Sequence, residues 1–259
     1  GQGSDEPWGG YRRYQLELMR ARIPQPMLRA MNRLPLEGLN PWVPSHVMRG
    51  IRALPKTNPI DRFVTTYELF TPEERLRMTG RSNAKEAVQR IKSWADWQSN
   101  DLHLAEQMMR IDTRLNLADD LLLYGDKLSM MVALEARVPM LDIKLMQFIE
   151  SLPLDYRVTR RESKRVHKAM AERYLPAEIV HRPKNGFQVP FGTWARSIWK
   201  ERIEDVLLSP GKSHLDYLER AEIERLLHQH NRQKPDRSRQ IFSLLMFALW
   251  SEWIHSLQS

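Results

Sequence analysis

The 259-residue sequence lacks cysteine altogether. This absence excludes a disulfide framework, a thiolate metal site and a cysteine nucleophile on this chain. It also fits a reducing compartment, so we expect a cytoplasmic protein. Long hydrophobic runs are missing as well: the longest apolar stretch, residues 241–250, is interrupted by Ser243, whereas a membrane-spanning helix needs about 20 apolar residues. No secretory signal pattern is visible in the residues given, and we expect no membrane partner.

Glycine and proline are sparse, with 11 and 16 residues, and few segments alternate between apolar and polar residues as half-buried strands do. The sequence therefore predicts a mainly α-helical chain, and it contains no linker long enough to separate two domains. Residues 71–74 are typical of a helix start, because a capping threonine precedes a proline and is followed three residues later by glutamate. Helices are predicted over residues 11–34, with a break near Pro24 and Pro26, and over residues 101–116 and 118–136, which form either two helices or one broken helix. Further helices are predicted over residues 142–152, 163–174, 221–231 and 237–257.

Positive charge is in excess, because 40 Lys and Arg residues face 32 Asp and Glu residues, for a net charge of +8. This balance favours an anionic partner such as a nucleotide, a phosphate or a nucleic acid, although a merely basic surface explains it equally well. A basic helical nucleic-acid binder is therefore one alternative. Against it, the aromatic residues do not interleave with the basic ones, and no nucleic-acid-binding motif appears.

The first segment with a chemical pattern is residues 1–11, GQGSDEPWGGY. Its four glycines surround Asp5 and Glu6 directly before a predicted helix, and glycine lets backbone N–H groups approach a ligand. An acid in such a loop repels phosphate unless magnesium bridges the two. The pattern indicates either a nucleotide-binding loop or a frayed or added terminal segment.

A second pattern lies in residues 119–130 and 134–142, which mix acidic and basic residues with apolar ones. Asp119, Asp126 and Ser129 share one face if the segment is α-helical. We expect the acids and bases of both segments to be partly buried and paired. They form either a structural ion-pair network or part of a catalytic site.

The third pattern is a loop rich in proline and glycine, residues 182–192, with Ser163 and Lys164 upstream of it. A lysine in such a loop, here Lys184, can reach a phosphate or a developing oxyanion. The competing interpretation is an ordinary exposed lysine. The eight histidines are scattered without three at a spacing that suits a metal, so no zinc site is predicted.

Five segments, taken in order, resemble motifs of the synthetase domain of glutamine-hydrolysing asparagine synthases. They are residues 1–11 (GQGSDEPWGGY), 119–130 (DDLLLYGDKLSM), 134–142 (LEARVPMLD), 175–179 (LPAEI) and 182–190 (RPKNGFQVP). The similarity extends to about residue 195 and is less distinctive beyond it. It implies that residues 1–259 are the C-terminal, mainly α-helical part of an α/β synthetase domain of the nucleotide-hydrolase type (adenine nucleotide alpha hydrolase).

The sequence departs from the family pattern in three ways. The family's pyrophosphate loop, SGGxDS, and its glutaminase domain precede the region that resembles this chain, so we expect a C-terminal fragment or the product of a truncated gene. Gln2 stands where many members have glutamate, and an amide cannot act as a base at neutral pH. Lys127 replaces the usual arginine, which keeps the charge but loses bidentate pairing.

The family activates aspartate with ATP to β-aspartyl-AMP, releases pyrophosphate, and lets ammonia from glutamine attack the acyl adenylate. The resemblance therefore implies ATP and Mg²⁺ as cofactors and aspartate as a substrate. Asp5 matches the acid that holds magnesium together with a partner from the pyrophosphate loop. Gly1, Gly3 and Ser4 match positions that contact the nucleotide.

The resemblance implies three catalytic residues. Gln2 matches a position that influences formation of the intermediate, Lys184 would stabilise charge on the acyl-adenylate side, and Asp120 would lie near the substrate amine or near Gln2. A glutaminase domain upstream on the parent chain is the expected protein partner, and a homodimer stays open. The alternatives are a catalytically inert remnant and a family relative that forms another amide, a β-lactam or a macrolactam bond.

Overall fold

The computed structural model describes residues 2–31, 45–81, 85–95, 102–183, 189–232 and 236–258. Helices make up the regular secondary structure of these ranges. The strand-like pairing within them is an isolated antiparallel bridge between Val158 and Ser163. The prediction of a mainly α-helical chain is confirmed.

Short helices joined by tight connections dominate the described ranges. The α-helices are α1 (Arg12–Arg20), α2 (Gln25–Met31), α3 (Ser45–Ala53), α4 (Pro59–Tyr67), α5 (Pro72–Thr79), α6 (Lys85–Ala95), α7 (Leu104–Asp112), α8 (Leu123–Met130), α9 (Ile143–Ser151), α10 (Leu154–Arg157), α11 (Arg165–Ala171), α12 (Ala177–Val180), α13 (Phe191–Arg196), α14 (Lys200–Leu208), α15 (Arg220–Asn231) and α16 (Ser238–Ser256). Turns of 3-10 helix cover Pro139–Leu141 and Ser213–Asp216. Within the described ranges, no helix is both long enough and apolar enough to cross a membrane.

The predicted start of α5 is present in full. The Thr71 hydroxyl accepts a hydrogen bond from the Glu74 N–H at 3.2 Å, and the Glu74 carboxylate accepts one from the Thr71 N–H at 2.9 Å. Pro72 occupies the first helical position, where its missing N–H is not needed. Gly80 ends the helix in the left-handed conformation, with φ of 68°.

Residues 104–130 form one continuous helical run rather than two separate helices. A ten-residue π-helix, Thr113–Leu122, joins α7 to α8. The run ends at Met130 and not at residue 136, and Ala133 follows in the left-handed conformation with φ of 55°. Because a π-helix pairs residues five apart, the spacing argument that placed Asp119 on a face with Asp126 and Ser129 does not hold across this segment.

One compact unit contains residues 2–31, 46–66, 86–95 and 102–183. Its boundaries fall at the start of α3, at the end of α4, at the start of α6 and after residue 184, within the segment rich in proline and glycine. The sequence did not predict this division. The unit is held by apolar side chains from α1, α4 and α7 and from the residue after α10. These core residues are Tyr14, Phe63, Ala105, Met108, Met109, Ile111 and Val158.

A second unit contains residues 67–81, 189–232 and 236–258, together with Ser45 and Lys85. The buried residues of α16 recur at the helical spacing of three and four, as Ile241, Leu244 and Ala248. They share a core with side chains from α5, α13, α14 and α15: Met78, Ala195, Ile203, Leu207, Ile223, Leu226 and Leu227.

Candidate active site

The glycine-rich loop, residues 2–10, packs so closely that two of its glycines cannot be replaced without strain. Gly3 and Gly9 have φ of 83° and 75°, which side chains rarely adopt. A Cβ on Gly3 would lie 2.1 Å from a methyl carbon of Leu141, and one on Gly9 would lie 2.8 Å from Cβ of Val158. The loop is therefore a folded part of the first unit, which excludes the interpretation of a frayed terminal segment.

The loop doubles back on itself so that its acid and its last glycine meet. The Gly10 N–H donates a hydrogen bond to the Asp5 carbonyl at 2.7 Å. A Cβ on Gly10 would lie 2.2 Å from Oδ1 of Asp5 and 2.6 Å from Cε of Lys164. The missing side chain at Gly10 is what leaves room for the Asp5 carboxylate and a lysine side chain.

Lys164 joins the loop from more than 150 residues downstream. Its Nζ lies 2.7 Å from Oδ1 of Asp5 and donates a hydrogen bond to Oγ of Ser4 at 3.2 Å. Both charged side chains are about three quarters buried, with exposed fractions of 22% for Lys164 and 24% for Asp5. The lysine sits at the N-terminus of α11 with φ of 54° and ψ of 39°, a left-handed conformation that is uncommon for a residue other than glycine.

The second acid of the loop, Glu6, is buried in a polar network. Its Oε1 accepts a hydrogen bond from the Tyr11 hydroxyl at 2.5 Å and one from Nδ2 of Asn116 at 3.4 Å, and Asn116 also donates to the Tyr11 oxygen at 3.1 Å. Burial, reinforced by the hydrogen bond to Glu6, raises the pKa of Tyr11 well above its usual range. Tyr11 thus stays a neutral donor and fixes Glu6.

Asp112, the last residue of α7 before the π-helix, anchors α1, the helix that follows the glycine-rich loop. Asp112 is fully buried and accepts hydrogen bonds from Nε of Arg13 at 2.7 Å and from the Tyr14 hydroxyl at 2.6 Å. The Arg13 guanidinium also lies 4.0 Å from the centre of the Tyr11 ring, a cation–π contact. These contacts hold α1, and with it the end of the loop, against α7.

Helix α11 makes a further contact with the loop through His167. The imidazole meets the buried Trp8 ring edge-on, with ring centres 4.8 Å apart. Burial lowers the pKa of His167, and the nearby Lys164 ammonium lowers it further. One turn of α11 thus supplies both a charged and an aromatic contact to residues 2–10.

The structure does not bury the charged residues of the second pattern. Asp120 is exposed, and its side chain makes no hydrogen bond or ion pair with another described residue. Asp119 pairs with Arg114 at 2.7 Å on the surface. Glu135 and Arg137 do pair, at 2.8 Å, but with exposed fractions of 68% and 83%.

The expectation of partial burial is therefore wrong for residues 119–137. Its physical reason is that α8 contributes no buried residue and residues 131–137 are all exposed, so the apolar neighbours of these charges form no core. Asp142 has a structural role instead, because its Oδ1 accepts a hydrogen bond from the Leu145 N–H at 3.1 Å and caps α9.

The other predicted site residues differ in their exposure and in whether the structure describes them. Gln2 is exposed and Gly3 is buried in the loop. Gly1 and Lys184 lie outside the described residues, so their assigned roles stay predictions. The sequence did not assign Lys164 to the site, and the one signal for it was its position upstream of the third pattern, 18 residues before Arg182.

The described residues do not complete a magnesium site. Among them, no group of three or more His, Asp or Glu side chains is arranged to hold a metal ion. Asp5 pairs with Lys164, and Glu6 is committed to Tyr11 and Asn116. Asp5 thus offers one ligand to a hard cation that takes about six oxygens, and its assignment to magnesium stays a prediction.

Comparison with known proteins identifies relatives of this chain. A glutamine-hydrolysing asparagine synthetase of Mycobacterium tuberculosis, provisionally named as such, is 30% identical over 270 residues, which cover 96% of this chain and 38% of that protein. Asparagine synthetase 1 of Bacillus subtilis, also named as glutamine-hydrolysing, is 26% identical over 260 residues, covering 96% of this chain and 39% of that protein. The chain thus spans less than two fifths of the length of these relatives. No solved structure shows a significant match. Residues 1–252 match the family model of asparagine synthase, and the chain therefore belongs to the asparagine synthase family.

Proposed function

We propose that this chain is the C-terminal part of the synthetase portion of an ATP-dependent ligase that makes asparagine from aspartate. The observation that carries the proposal is the contact of Lys164 with Asp5 and Ser4 in the glycine-rich loop, at 2.7 and 3.2 Å. The close-packed loop holds the Lys164 ammonium in one place, where it can meet an anionic substrate.

The first half of the reaction brings negatively charged groups together. A side-chain carboxylate oxygen of aspartate attacks the α-phosphorus of ATP, the bond to pyrophosphate breaks, and β-aspartyl-AMP forms. In the second half ammonia attacks the acyl carbon, AMP leaves with the bonding electrons, and the nitrogen loses a proton to give the amide. The first step brings a carboxylate towards a polyphosphate, so it needs preorganised positive charge.

Lys164 is the described residue best placed to supply that charge. Its ammonium is held by Asp5 and Ser4 rather than left to rotate in solvent, so little reorganisation is required when an anion arrives. Asp5 orients the lysine, and the glycines at positions 3 and 10 let the backbone fold tightly around both. Lys184 would provide a second positive group in the same proposal.

Magnesium, when bound, would neutralise charge on the departing pyrophosphate. Asp5 is the described residue that would hold it, although no group of three or more His, Asp or Glu side chains among the described residues is arranged around a metal ion. The ammonia would come from glutamine, as the names of the relatives from M. tuberculosis and B. subtilis suggest.

The test is aspartate-dependent exchange of labelled pyrophosphate into ATP by the full-length synthetase that contains this chain. Lys164→Met keeps most of the apolar stem, and loss of one charge-stabilising contact should lower kcat by about 100- to 1,000-fold with a smaller change in KM. Lys168→Met, one turn further along α11, is the matched control and should behave like the unmodified enzyme.

The isolated chain should give no exchange, because its described residues lack a complete magnesium site. Equal activity of the Lys164 and Lys168 variants would remove Lys164 from the mechanism. Normal ATP consumption without any dependence on aspartate would redirect the proposal to another carboxylate substrate.

A further inference from the structure

Two buried nitrogens of the candidate active site lack a hydrogen-bond partner among the described residues. They are Nε1 of Trp8, a residue that is only 5% exposed, and Nδ1 of His167. The two rings are in edge-on contact, with centres 4.8 Å apart and planes at 85°. Buried polar groups in folded proteins are almost always hydrogen-bonded, so an unpaired buried atom requires an explanation. Two such atoms in contacting rings point to a common one.

The hydrogen-bonding chemistry of the two rings is complementary. The indole N–H of Trp8 can only donate a hydrogen bond, whereas one nitrogen of a neutral imidazole accepts. Burial and the nearby Lys164 ammonium lower the pKa of His167, so the ring is neutral at pH 7. A small rotation of the partly exposed His167 side chain would let its Nδ1 accept from Trp8 and would satisfy both atoms at once.

This pairing determines which nitrogen of His167 carries the proton. A neutral imidazole has one N–H, and when Nδ1 accepts a hydrogen bond the proton is on Nε2. Nε2 makes no hydrogen bond with a described residue and, unlike Nδ1, is not buried. His167 would then present a free donor three residues along the chain from Lys164, and both residues contact the glycine-rich loop.

An anion held by Lys164 needs a second donor. The Lys164 ammonium is paired with the Asp5 carboxylate at 2.7 Å, so the pair carries no net charge, and an anion that approaches Lys164 also meets Asp5. An uncharged N–H attracts an anion without the repulsion that a second cation beside Lys164 would experience. Neutral His167 has this property.

We infer that His167 is a second anion-binding residue of the candidate active site, with Nδ1 held by the Trp8 indole and Nε2–H donated to an anionic oxygen that Lys164 also contacts. The inference rests on the proposed function, which supplies two sources of such oxygens, the phosphoryl groups of ATP and the carboxylates of aspartate. Their shared chemistry is an anionic oxygen that accepts two hydrogen bonds, and the affinities for the two substrates tell them apart.

Two amide substitutions separate the two nitrogens of His167. The amide nitrogen of glutamine lies close to the position of Nε2, whereas asparagine reaches only the position of Nδ1. In the full-length synthetase, His167→Asn should weaken binding of ATP or of aspartate by about 10- to 100-fold, the effect of one hydrogen bond to a charged group, and His167→Gln should keep it within about threefold. His228→Asn, at an exposed histidine of α15, is the control and should bind both substrates normally.

Trp8→Phe tests the pairing with the indole. Phenylalanine keeps the ring contact and removes the N–H, so that either nitrogen of His167 can carry the proton, and the affinity should fall by roughly 2- to 10-fold. In the His167→Gln background the same change should have no effect, because an amide has no tautomers. An equal effect in both backgrounds would show that Trp8 acts by packing and would overturn the inference.

The measurements are calorimetric titrations with ATP and with aspartate and a melting temperature for each variant. Equal affinities of His167→Asn and His167→Gln would overturn the inference, as would a loss of affinity that follows a lowered Tm, because packing against Trp8 would explain both. Binding does not require catalysis, so a difference between the two variants in an enzyme without pyrophosphate exchange would reject the proposed activity and leave the anion site standing. Normal exchange without that difference would do the opposite.

Discussion

Arg62→Met should be among the most destabilising single substitutions in the first unit. The Arg62 guanidinium donates to both carboxylate oxygens of Glu17, at 3.0 and 2.8 Å, and also to the carbonyls of Lys56 and Thr57, each at 2.8 Å. The side chains of Arg62 and Glu17 are only 5% and 8% exposed. Methionine would fill much of the volume but leave a buried carboxylate without its cation, a change that costs about 3–5 kcal/mol of unfolding free energy.

The ion pair between Glu135 and Arg137 supplies the contrast. Its length, 2.8 Å, is the same as the shorter contact between Arg62 and Glu17, but both of its side chains are mostly exposed. Water screens such a pair, so Arg137→Ala should cost no more than about 0–1 kcal/mol. The predicted losses of unfolding free energy differ because one ion pair is buried and the other is exposed, not because their lengths differ.

Urea unfolding followed by circular dichroism would measure both variants, and thermal melts would show a Tm lowered by roughly 6–20 °C for Arg62→Met. The double variant Glu17→Met/Arg62→Met should recover much of the loss, because it removes the unpaired charge along with its partner. If Arg62→Met and Arg137→Ala cost the same, the burial argument fails. If the double variant is no more stable than Arg62→Met, the cost comes from packing and not from the unpaired carboxylate.

Two further predictions concern a site residue and a buried histidine. In the full-length synthetase, Asp5→Asn removes one negative charge while keeping the shape, so the magnesium concentration for half-maximal activity should rise; an unchanged magnesium dependence would show that Asp5 is not a ligand. In the second unit, burial lowers the pKa of His230, and the nearby Arg196 guanidinium lowers it further. Because the unfolded chain then binds more protons, the stability that neutral His230 contributes is fully present above its unfolded pKa of about 6.5 and decreases as the pH falls towards the lowered folded value. Unfolding free energies at pH 7.5 and pH 5.5 should therefore differ more for the unmodified chain than for His230→Gln, and identical pH dependences would contradict this assignment.

Two helix starts, those of α5 and α9, were predicted well from the sequence. The capping box at Thr71 and the start of α9 after Asp142 depend on residues three positions apart, so local chemistry decides them. The prediction for residues 118–136 failed at its C-terminal end because the segment has no core to pack against and turns at Ala133. Hydrophobic pattern indicates which side chains can be buried, but it cannot say whether the described chain supplies the surface that buries them.

Sequence patterns were also limited in what they could predict about the candidate active site. The glycine-rich loop was identifiable because its glycines and acids are adjacent in sequence. Lys164 was not, because its contact with Ser4 joins residues 160 positions apart and no spacing rule connects them.

Backbone strain, visible only in three dimensions, adds an independent reason to place Lys164 in the site. A left-handed conformation costs a non-glycine residue about 1–2 kcal/mol, and glycine at position 164 would avoid that cost. A lysine there keeps the strain and gains the contact with Asp5 and Ser4, since the turn before α11 aims its side chain at the loop. Strained residues of this kind concentrate at functional sites, where the surrounding structure compensates for them. The conformation and the ion pair thus support the proposed role of Lys164 in the chemistry of the loop.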